Sequence, residues 1–182
     1  MREQYLAHNG IRRQHDGATN GQAAEQQPQY SLRKTRKTVR NWSLAQDEVI
    51  AHFSTHDPTK RCRVLIVDDD DLIRSWVASL LKRGGYEVCA TSSGALAIQI
   101  LDAMPCDIVI TDWAMPDMDG LDLCREIRSR TETASSYVLM LSVRNGTGDV
   151  LAGLSAGADD YIFKGATAEE ILARLEVGRR LS

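Results

Sequence analysis

Acidic side chains follow two apolar runs of this sequence, at the point where each run ends. VLIV (64–67) leads directly into four consecutive aspartates (68–71), and DIVIT (107–111) leads into Asp112. Carboxylates repel one another and are costly to bury unless a cation pairs with them. A hard, oxygen-seeking divalent cation such as Mg²⁺ or Mn²⁺ would supply that charge. The acidic residues therefore predict a metal site, and an exposed acidic turn is the alternative.

A hydroxyl and an amine stand at the ends of two further apolar runs. Ser142 ends the run YVLMLS, and Lys164 follows the run DDYIF. A carboxylate beside a bound cation can attack a phosphoryl group and form an acyl phosphate, which requires mainly positioning and neutralised charge. Asp112 is the predicted nucleophile because the irregular loop WAMPDMDG follows it and can wrap the site. Lys164 and Ser142 would neutralise and bind the transferred group.

These residues lie at the ends of predicted strands, and the pattern of apolar residues along the chain predicts a parallel α/β sheet. Short apolar runs without alternation indicate buried strands, and apolar residues at helical spacing indicate intervening helices. The predicted strands are 64–67, 86–90, 107–111, 137–142 and 159–163, and the predicted helices are about 71–83, 93–104, 120–130, 147–156 and 167–181. Alternating strands and helices predict a doubly wound sheet, in which ligands bind at the carboxyl ends of the strands.

Local signals define the first and last of these helices. Asp70 or Asp71 can cap the first helix, and Thr167 with Glu170 has the spacing of a capping box in the last. The predicted apolar side of the first helix consists of Leu72, Ile73, Trp76, Val77, Leu80 and Leu81.

Composition divides the 182 residues into two parts. Residues 1–60 are polar, with nine Lys and Arg against six Asp and Glu, whereas residues 61–182 carry thirteen against nineteen. A polar segment buries too little apolar surface to offset its ordering entropy. We therefore expect 1–60 to be a mostly disordered tail, with a short helix near 43–53, and 61–182 to be the folded domain. The basic run RKTRKTVR lacks interleaved aromatic residues and indicates a solvated patch.

The cysteines and hydropathy indicate a reduced, cytoplasmic protein. Cys62, Cys89, Cys106 and Cys124 are widely spaced and form no metal-binding or disulfide pattern. No apolar run approaches the roughly 20 residues that a membrane-spanning helix needs. We expect no membrane association, and no nucleic-acid binding by the folded domain.

Four motifs together resemble the receiver domain of bacterial two-component response regulators: VLIVDDDDLIR, ITDWAMPDMDG, YVLMLS and GADDYIFK. The resemblance covers about residues 62–181. It implies a flavodoxin-like fold with five parallel strands in the order 2-1-3-4-5 and five helices. The closing run LARLEVGRRLS is similar in style to receivers that precede diguanylate cyclase domains.

The resemblance also implies roles in a metal site. Asp112 would be the phosphoacceptor, and Asp69 and Asp112 would bind Mg²⁺ (or Mn²⁺) directly, together with the backbone carbonyl of Ala114. Asp68 would act through water. The side chain of Ala114 cannot hydrogen-bond an attacking water, so we expect slow loss of the phosphoryl group.

A switch and its partners follow from the same resemblance. Ser142 would sense the phosphoryl group, Lys164 would bind it, and Tyr161 would move inward with Ser142. This movement would change the face built by the fourth helix, fifth strand and last helix, through which a homodimer is expected. The resemblance implies that the phosphoryl donor is a histidine kinase or phosphotransfer protein. All four histidines of this chain lie within residues 1–60, so the predicted folded domain has none of its own.

The sequence departs from the family pattern at three positions. Gly165 replaces the usual proline, Val143 replaces a smaller residue, and Ser142 stands where threonine is more common. A degenerate receiver that serves as a phosphorylation-independent binding scaffold is therefore the alternative function. A phosphohydrolase is disfavoured because Ala114 stands where such enzymes need a second acid, and we predict that the chain is not an enzyme.

Overall fold

Five parallel strands form one sheet within residues 62–182, which are the residues that the computed structural model describes. The strands run in the order β2-β1-β3-β4-β5. Their bounds are β1 Arg63–Val67, β2 Glu87–Thr91, β3 Ile108–Thr111, β4 Tyr137–Ser142 and β5 Asp160–Phe163. The predictions for residues 1–60, including the helix near 43–53 and the four histidines, lie outside the described residues.

A helix follows each strand. Their bounds are α1 Asp71–Arg83, α2 Gly94–Ala103, α3 Gly120–Ser129, α4 Thr147–Ser155 and α5 Ala168–Leu181. Asp70 caps α1 by accepting the backbone N–H groups of Leu72 and Ile73, and the Thr167 hydroxyl accepts the N–H of Glu170 at the start of α5. These caps satisfy donors that have no partner inside the helix.

The central strands are apolar throughout because helices cover both faces of the sheet. Alternate residues of β1 face opposite cores: Val64 and Ile66 pack with α1 and α5, whereas Leu65 and Val67 pack with α2 and α3. Every residue of β3 and β4 is buried. The carboxyl ends of the strands lie between the two apolar cores, and they therefore form a polar edge of the sheet.

The predicted flavodoxin-like fold is confirmed, including the strand order and the five helices. Several element boundaries differ from the prediction by one residue. One side chain of the predicted apolar side of α1 was placed wrongly, because Leu72 is 53% exposed. It lies in the first turn next to Ile73, which is the residue of that turn that packs into the core. No helix among residues 62–182 combines the length and apolar character required to traverse a bilayer.

Candidate functional site

Neighbouring strands bring the predicted carboxylates together. β1 and β3 pair in register up to Val67 and Thr111, and the N–H of Asp112 then donates to the carbonyl of Val67 at 2.8 Å. Side-chain oxygens of Asp68, Asp69 and Asp112 all lie within 4.8 Å of one another. The acidic edge predicted from the sequence is therefore a single cluster.

The four consecutive aspartates divide into two pairs. Asp68 is buried and Asp69 is exposed at the mouth of the cluster, whereas Asp70 caps α1. Asp71 lies in the first turn of α1 and pairs with Arg74 at the surface. A helix cap and a surface ion pair thus account for Asp70 and Asp71, and Asp68 and Asp69 remain for the site.

A buried lysine, which directly follows the edge strand β5, completes the cluster. The Nζ of Lys164 lies 2.7 Å from Oδ2 of Asp112 and 2.8 Å from Oδ2 of Asp68. The lysine is only 4% exposed, and its backbone N–H donates to the carbonyl of Ser142 at 2.7 Å. That bond extends the pairing of β4 with β5 by one residue and holds the lysine at the end of the sheet.

Burial and charge oppose each other at these groups. The pKa of Asp68 is raised to about 6, because burial and the neighbouring Asp112 carboxylate together outweigh the lowering effect of Lys164. Burial likewise raises the pKa of the Asp112 carboxyl, against the lowering effect of Lys164. Burial lowers the pKa of Lys164, but the two carboxylates outweigh it and the net pKa is raised. The lysine stays charged, yet one ammonium cannot neutralise three carboxylates.

The donor set fits a hard divalent cation. Asp68, Asp69 and Asp112 offer only carboxylate oxygens, which Mg²⁺ and Mn²⁺ prefer, and the cluster carries more negative charge than Lys164 neutralises. Ala114 is exposed in the loop that follows Asp112. The participation of its backbone carbonyl stays a prediction.

The predicted switch residues lie beside the acidic cluster. The Ser142 side chain is fully buried, and its Oγ accepts the backbone N–H of Arg144 at 3.2 Å. The Tyr161 hydroxyl donates to the carbonyl of Arg144 at 2.9 Å. Its ring packs against Gly153 of α4, where a Cβ would lie 2.9 Å from the ring. Ser142 and Tyr161 therefore bind the same residue, Arg144.

The loop after Asp112 depends on a glycine that the sequence reasoning treated only as part of a turn. The N–H of Gly120 donates to the carbonyl of Trp113 at 2.8 Å, and a Cβ on Gly120 would lie 2.1 Å from the carbonyl oxygen of Asp112. Only glycine permits this approach. The signal was its place at the start of a predicted helix, where a better helix former is expected.

A second feature that the sequence reasoning missed is a contact between distant residues. The guanidinium of Arg144 lies 5.0 Å from the ring centroid of Trp113, and the Trp113 ring meets Tyr161 edge-on at 6.4 Å between centroids. No local sequence pattern links residue 113 with residue 144, since strand pairing alone brings them together.

Gly165 and Val143, the other two departures from the family pattern, lie close to the site. The ring of Phe163 lies against Gly165, where a Cβ would be 2.4 Å from Cε1 of the ring. Val143 is 36% exposed. Both residues lie beside the site, and neither displaces Lys164 or Ser142 from it.

The geometry agrees with a comparison of the sequence with known families. A family model described as the response regulator receiver domain matches residues 64–176. The chain belongs to the response regulator receiver family. The resemblance drawn from the four sequence motifs is thereby confirmed. Response regulators are the receiving components of two-component systems, and residues 64–176 match their receiver domain.

Curated relatives of this receiver domain are themselves regulators. The transcriptional regulatory protein GltR of Pseudomonas aeruginosa is 39% identical over 113 residues, which are 62% of this chain and 47% of GltR. The sensory transduction protein RegX3 of Mycobacterium tuberculosis is 37% identical over 112 residues, which are 62% of this chain and 48% of RegX3. The chain spans about half the length of these curated relatives.

Solved structures show the same fold. The chemotaxis protein CheY4 of Vibrio cholerae matches the receiver domain with a TM-score of 0.62 and 28% identity, over 65% of this chain and 98% of that one. The receiver domain of Klebsiella pneumoniae RstA, in its BeF3-activated form, matches with a TM-score of 0.61 and 26% identity, over 65% and 98%. In both cases the match covers nearly the whole of the neighbouring chain.

Proposed function

We propose that this receiver accepts a phosphoryl group on Asp112 from a histidine kinase or a phosphotransfer protein, in a Mg²⁺-dependent reaction. The observation that carries the proposal is the buried Lys164 ammonium, which bridges Asp112 and Asp68 inside the carboxylate cluster. A purely structural ion pair would need one carboxylate, and burial of two around one lysine is costly without a further cation. We further propose residues 61–182 as the receiver and 1–60 as its tail.

The chemistry is a transfer between two nucleophiles. A carboxylate oxygen of Asp112 attacks the phosphorus of a partner's phosphohistidine, the P–N bond breaks, and the imidazole leaves with the electron pair. The product on Asp112 is an acyl phosphate. Lys164 already lies 2.7 Å from one oxygen of the nucleophile and can follow the charge onto the phosphoryl oxygens. Mg²⁺ held by Asp68, Asp69 and Asp112 would neutralise the phosphoryl charge.

The readout would be a change in the surface of α4, β5 and α5. The Ser142 hydroxyl accepts the N–H of Arg144, and the Tyr161 hydroxyl donates to the carbonyl of the same residue. The Tyr161 ring lies against Gly153 of α4. A phosphoryl group that hydrogen-bonds the Ser142 hydroxyl would favour one arrangement of these contacts. The population of molecules would shift toward the conformation with that arrangement.

The partner at that surface is proposed to be a second copy of the chain. Eight large apolar side chains are exposed among residues 62–182, and five of them belong to α4, β5 and α5: Leu151, Leu154, Phe163, Val177 and Leu181. Apolar side chains concentrated on one face are typical of an interaction surface. Sedimentation velocity with and without beryllofluoride tests this, because Leu151→Ser should weaken the dimer and Leu96→Ser, on α2, should not. A monomer under both conditions would contradict it.

Phosphorylation is tested by intact-mass spectrometry after incubation with acetyl phosphate. We expect a gain of one phosphoryl group that requires both Mg²⁺ and Asp112, and therefore no gain in chelator or in Asp112→Asn. The phosphorylated form should decay slowly, as Ala114 offers no side chain to orient water. No gain in the wild-type chain would instead support the alternative of a phosphorylation-independent scaffold.

A further inference from the structure

A tight turn follows β5 and carries Lys164. The carbonyl of Phe163 accepts the N–H of Ala166 at 2.9 Å, which closes a four-residue turn around Lys164 and Gly165. The N–H of Lys164 donates to the carbonyl of Ser142 at 2.7 Å. Because the lysine side chain reaches the carboxylate cluster from this turn, the position of its ammonium depends on the conformation of the turn.

Gly165 gives this turn more conformational freedom than the family pattern allows. Glycine has access to a wider range of φ and ψ than any other residue, whereas proline, the usual residue at this position, has a fixed φ. Lys164 is nevertheless only 4% exposed and lies within 2.8 Å of two carboxylates. A contact other than a proline ring must therefore restrict the turn.

The ring of Phe163 supplies such a contact. A Cβ on Gly165 would lie 2.4 Å from Cε1 and 2.8 Å from Cδ1 of the ring, so the ring fills the space where a side chain at this position would begin. Phe163 is 45% exposed, and the remainder of its surface is covered. A rotation of the Gly165 backbone would either press it into the ring or expose apolar carbon to water, and both changes cost free energy.

We propose that Phe163 is a positioning residue for Lys164: its ring packs on Gly165 and fixes the turn that holds the ammonium between Asp112 and Asp68. The aromatic ring thereby supplies the restriction that proline supplies in the family pattern. This inference rests on the proposed function, in which Lys164 follows the charge onto the phosphoryl oxygens. The contact itself needs no phosphoryl group and can be tested in the unphosphorylated protein.

The nitrogen–proton NMR signal of the Lys164 ammonium tests the positioning in the metal-free protein. A buried ammonium that donates to two carboxylates exchanges its protons with water slowly, and its signal is identified by its absence in Lys164→Met. Phe163→Ala should abolish the signal, because a looser turn lets water reach the ammonium. Phe163→Tyr keeps the ring and should keep the signal. The matched control Leu151→Ala removes another exposed apolar side chain of the proposed dimer surface and should also keep it.

Beryllofluoride, a mimic of the phosphoryl group that needs no hydrolysis, tests the consequence for the site by calorimetry in saturating Mg²⁺. Phe163→Ala should raise its Kd about fivefold, because the charge-assisted hydrogen bond of Lys164 is weakened but not removed. Gly165→Ala should have a similar effect, since the added Cβ displaces the ring. The double variant should resemble either single variant and not reach the roughly 25-fold increase that two independent changes would give.

The affinity for Mg²⁺ separates positioning from a general loosening of the site. Carboxylates at the ends of β1 and β3 would hold the ion, and the turn after β5 contributes none of them. Phe163→Ala should therefore leave the Kd for Mg²⁺ nearly unchanged while it raises the Kd for beryllofluoride. A disturbance that spread through the whole site would weaken the binding of both.

The outcomes separate the two proposals. An ammonium signal that survives in Phe163→Ala, or affinities for Mg²⁺ and beryllofluoride that fall together, would overturn the role of Phe163 and leave the phosphorylation of Asp112 standing. Independent effects of Phe163→Ala and Gly165→Ala would also overturn that role, because the two residues would then act through different contacts. Failure of the wild-type protein to bind beryllofluoride would overturn the proposed phosphorylation and, with it, the function assigned to the turn.

Discussion

At the scale of single residues, identical side chains have different surroundings and therefore different roles. Asp68 is buried beside Lys164, Asp69 is exposed at the mouth of the cluster, and Asp70 caps a helix. Each environment favours a different use of the same carboxylate: pairing with a cation, metal binding, or acceptance of backbone N–H groups. Substitution should separate these uses.

Asp70→Ala and Asp69→Asn should have opposite effects on stability and on Mg²⁺ affinity. Loss of the α1 cap should reduce the free energy of unfolding by about 1 kcal/mol and leave Mg²⁺ affinity nearly unchanged. Asp69→Asn should leave stability nearly unchanged and weaken Mg²⁺ binding at least tenfold, since a charged ligand is lost. Urea unfolding and a Mg²⁺ titration followed by tryptophan fluorescence measure the two quantities. Equal Mg²⁺ affinity in Asp69→Asn would remove that residue from the metal site.

Lys164→Met should destabilise the metal-free protein because it leaves Asp68 and Asp112 buried without their counter-charge. We expect a loss of about 3 kcal/mol at pH 7.5. Burial raises the pKa of Asp68 to about 6, and removal of the lysine raises it further. The loss should therefore shrink as the pH falls through this range and the carboxyls take up protons.

Urea unfolding of Lys164→Met in chelator at about pH 7.5 and 5.5 measures this effect. Lys82→Met, at an exposed position in the last turn of α1, is the matched control and should be neutral at both values. A loss that is equal at the two pH values would show that the lysine contributes by packing and not by charge.

At the scale of elements, the turn between β3 and α3 shapes the site. The chain leaves the sheet at Asp112, loops outward and returns so closely that Gly120 touches the Asp112 backbone. Asp117 adopts a positive φ of 67° in this loop, a conformation that aspartate tolerates better than most residues. Asp119 then caps α3 by accepting the N–H of Asp122. The loop is thereby fixed at both ends.

Gly120→Ala should disturb this turn, because its Cβ would lie 2.1 Å from the Asp112 carbonyl oxygen. We expect a loss of about 2 kcal/mol or more in unfolding free energy, together with weaker Mg²⁺ binding as Asp112 is displaced. Gly148→Ala in α4 is the matched control, since no atom lies within 4 Å of its added Cβ. It should be neutral or stabilise by up to about 1 kcal/mol. Equal stability of the two variants would contradict the turn geometry.

At the scale of the whole described domain, two apolar cores enclose the sheet and leave the polar edge as the reactive part. Three of the four cysteines lie in these cores: Cys62, Cys106 and Cys124. Burial raises the pKa of Cys106 to about 11 and that of Cys124 to about 12. Cys89 on the edge strand β2 is only partly buried. The reactivity of the thiols can therefore report on how tightly the two cores are packed.

We expect one thiol, Cys89, to react rapidly with a maleimide at pH 8 in the native protein, because the thiolate is the reactive form and burial suppresses it elsewhere. The remaining three should react only after unfolding. Peptide mapping of the labelled protein identifies the sites, and Cys89→Ser should eliminate the rapid phase. Rapid labelling of Cys124, which is fully buried in the structure, would contradict the packing of α3 on the sheet.

Periodicity and strand-end chemistry were sufficient to predict much of this molecule. Continuous apolar runs gave the five strands, helical spacing gave the five helices, and parallel strands must present their carboxyl ends at one edge. The prediction that Asp68, Asp69, Asp112 and Lys164 meet followed from this rule. Such local patterns are reliable because they reflect burial of one face of each element, which the sequence encodes directly.

The tertiary structure decided what depends on approach between distant residues. The sequence did not indicate that Lys164 bridges two carboxylates, that Gly120 must touch the Asp112 backbone, or that Arg144 rests on Trp113. Each of these contacts joins residues that are brought together only by the pairing of strands or the path of a loop. The sequence by itself determined which groups stand at the reactive edge, and the packing of the sheet determined which of them touch.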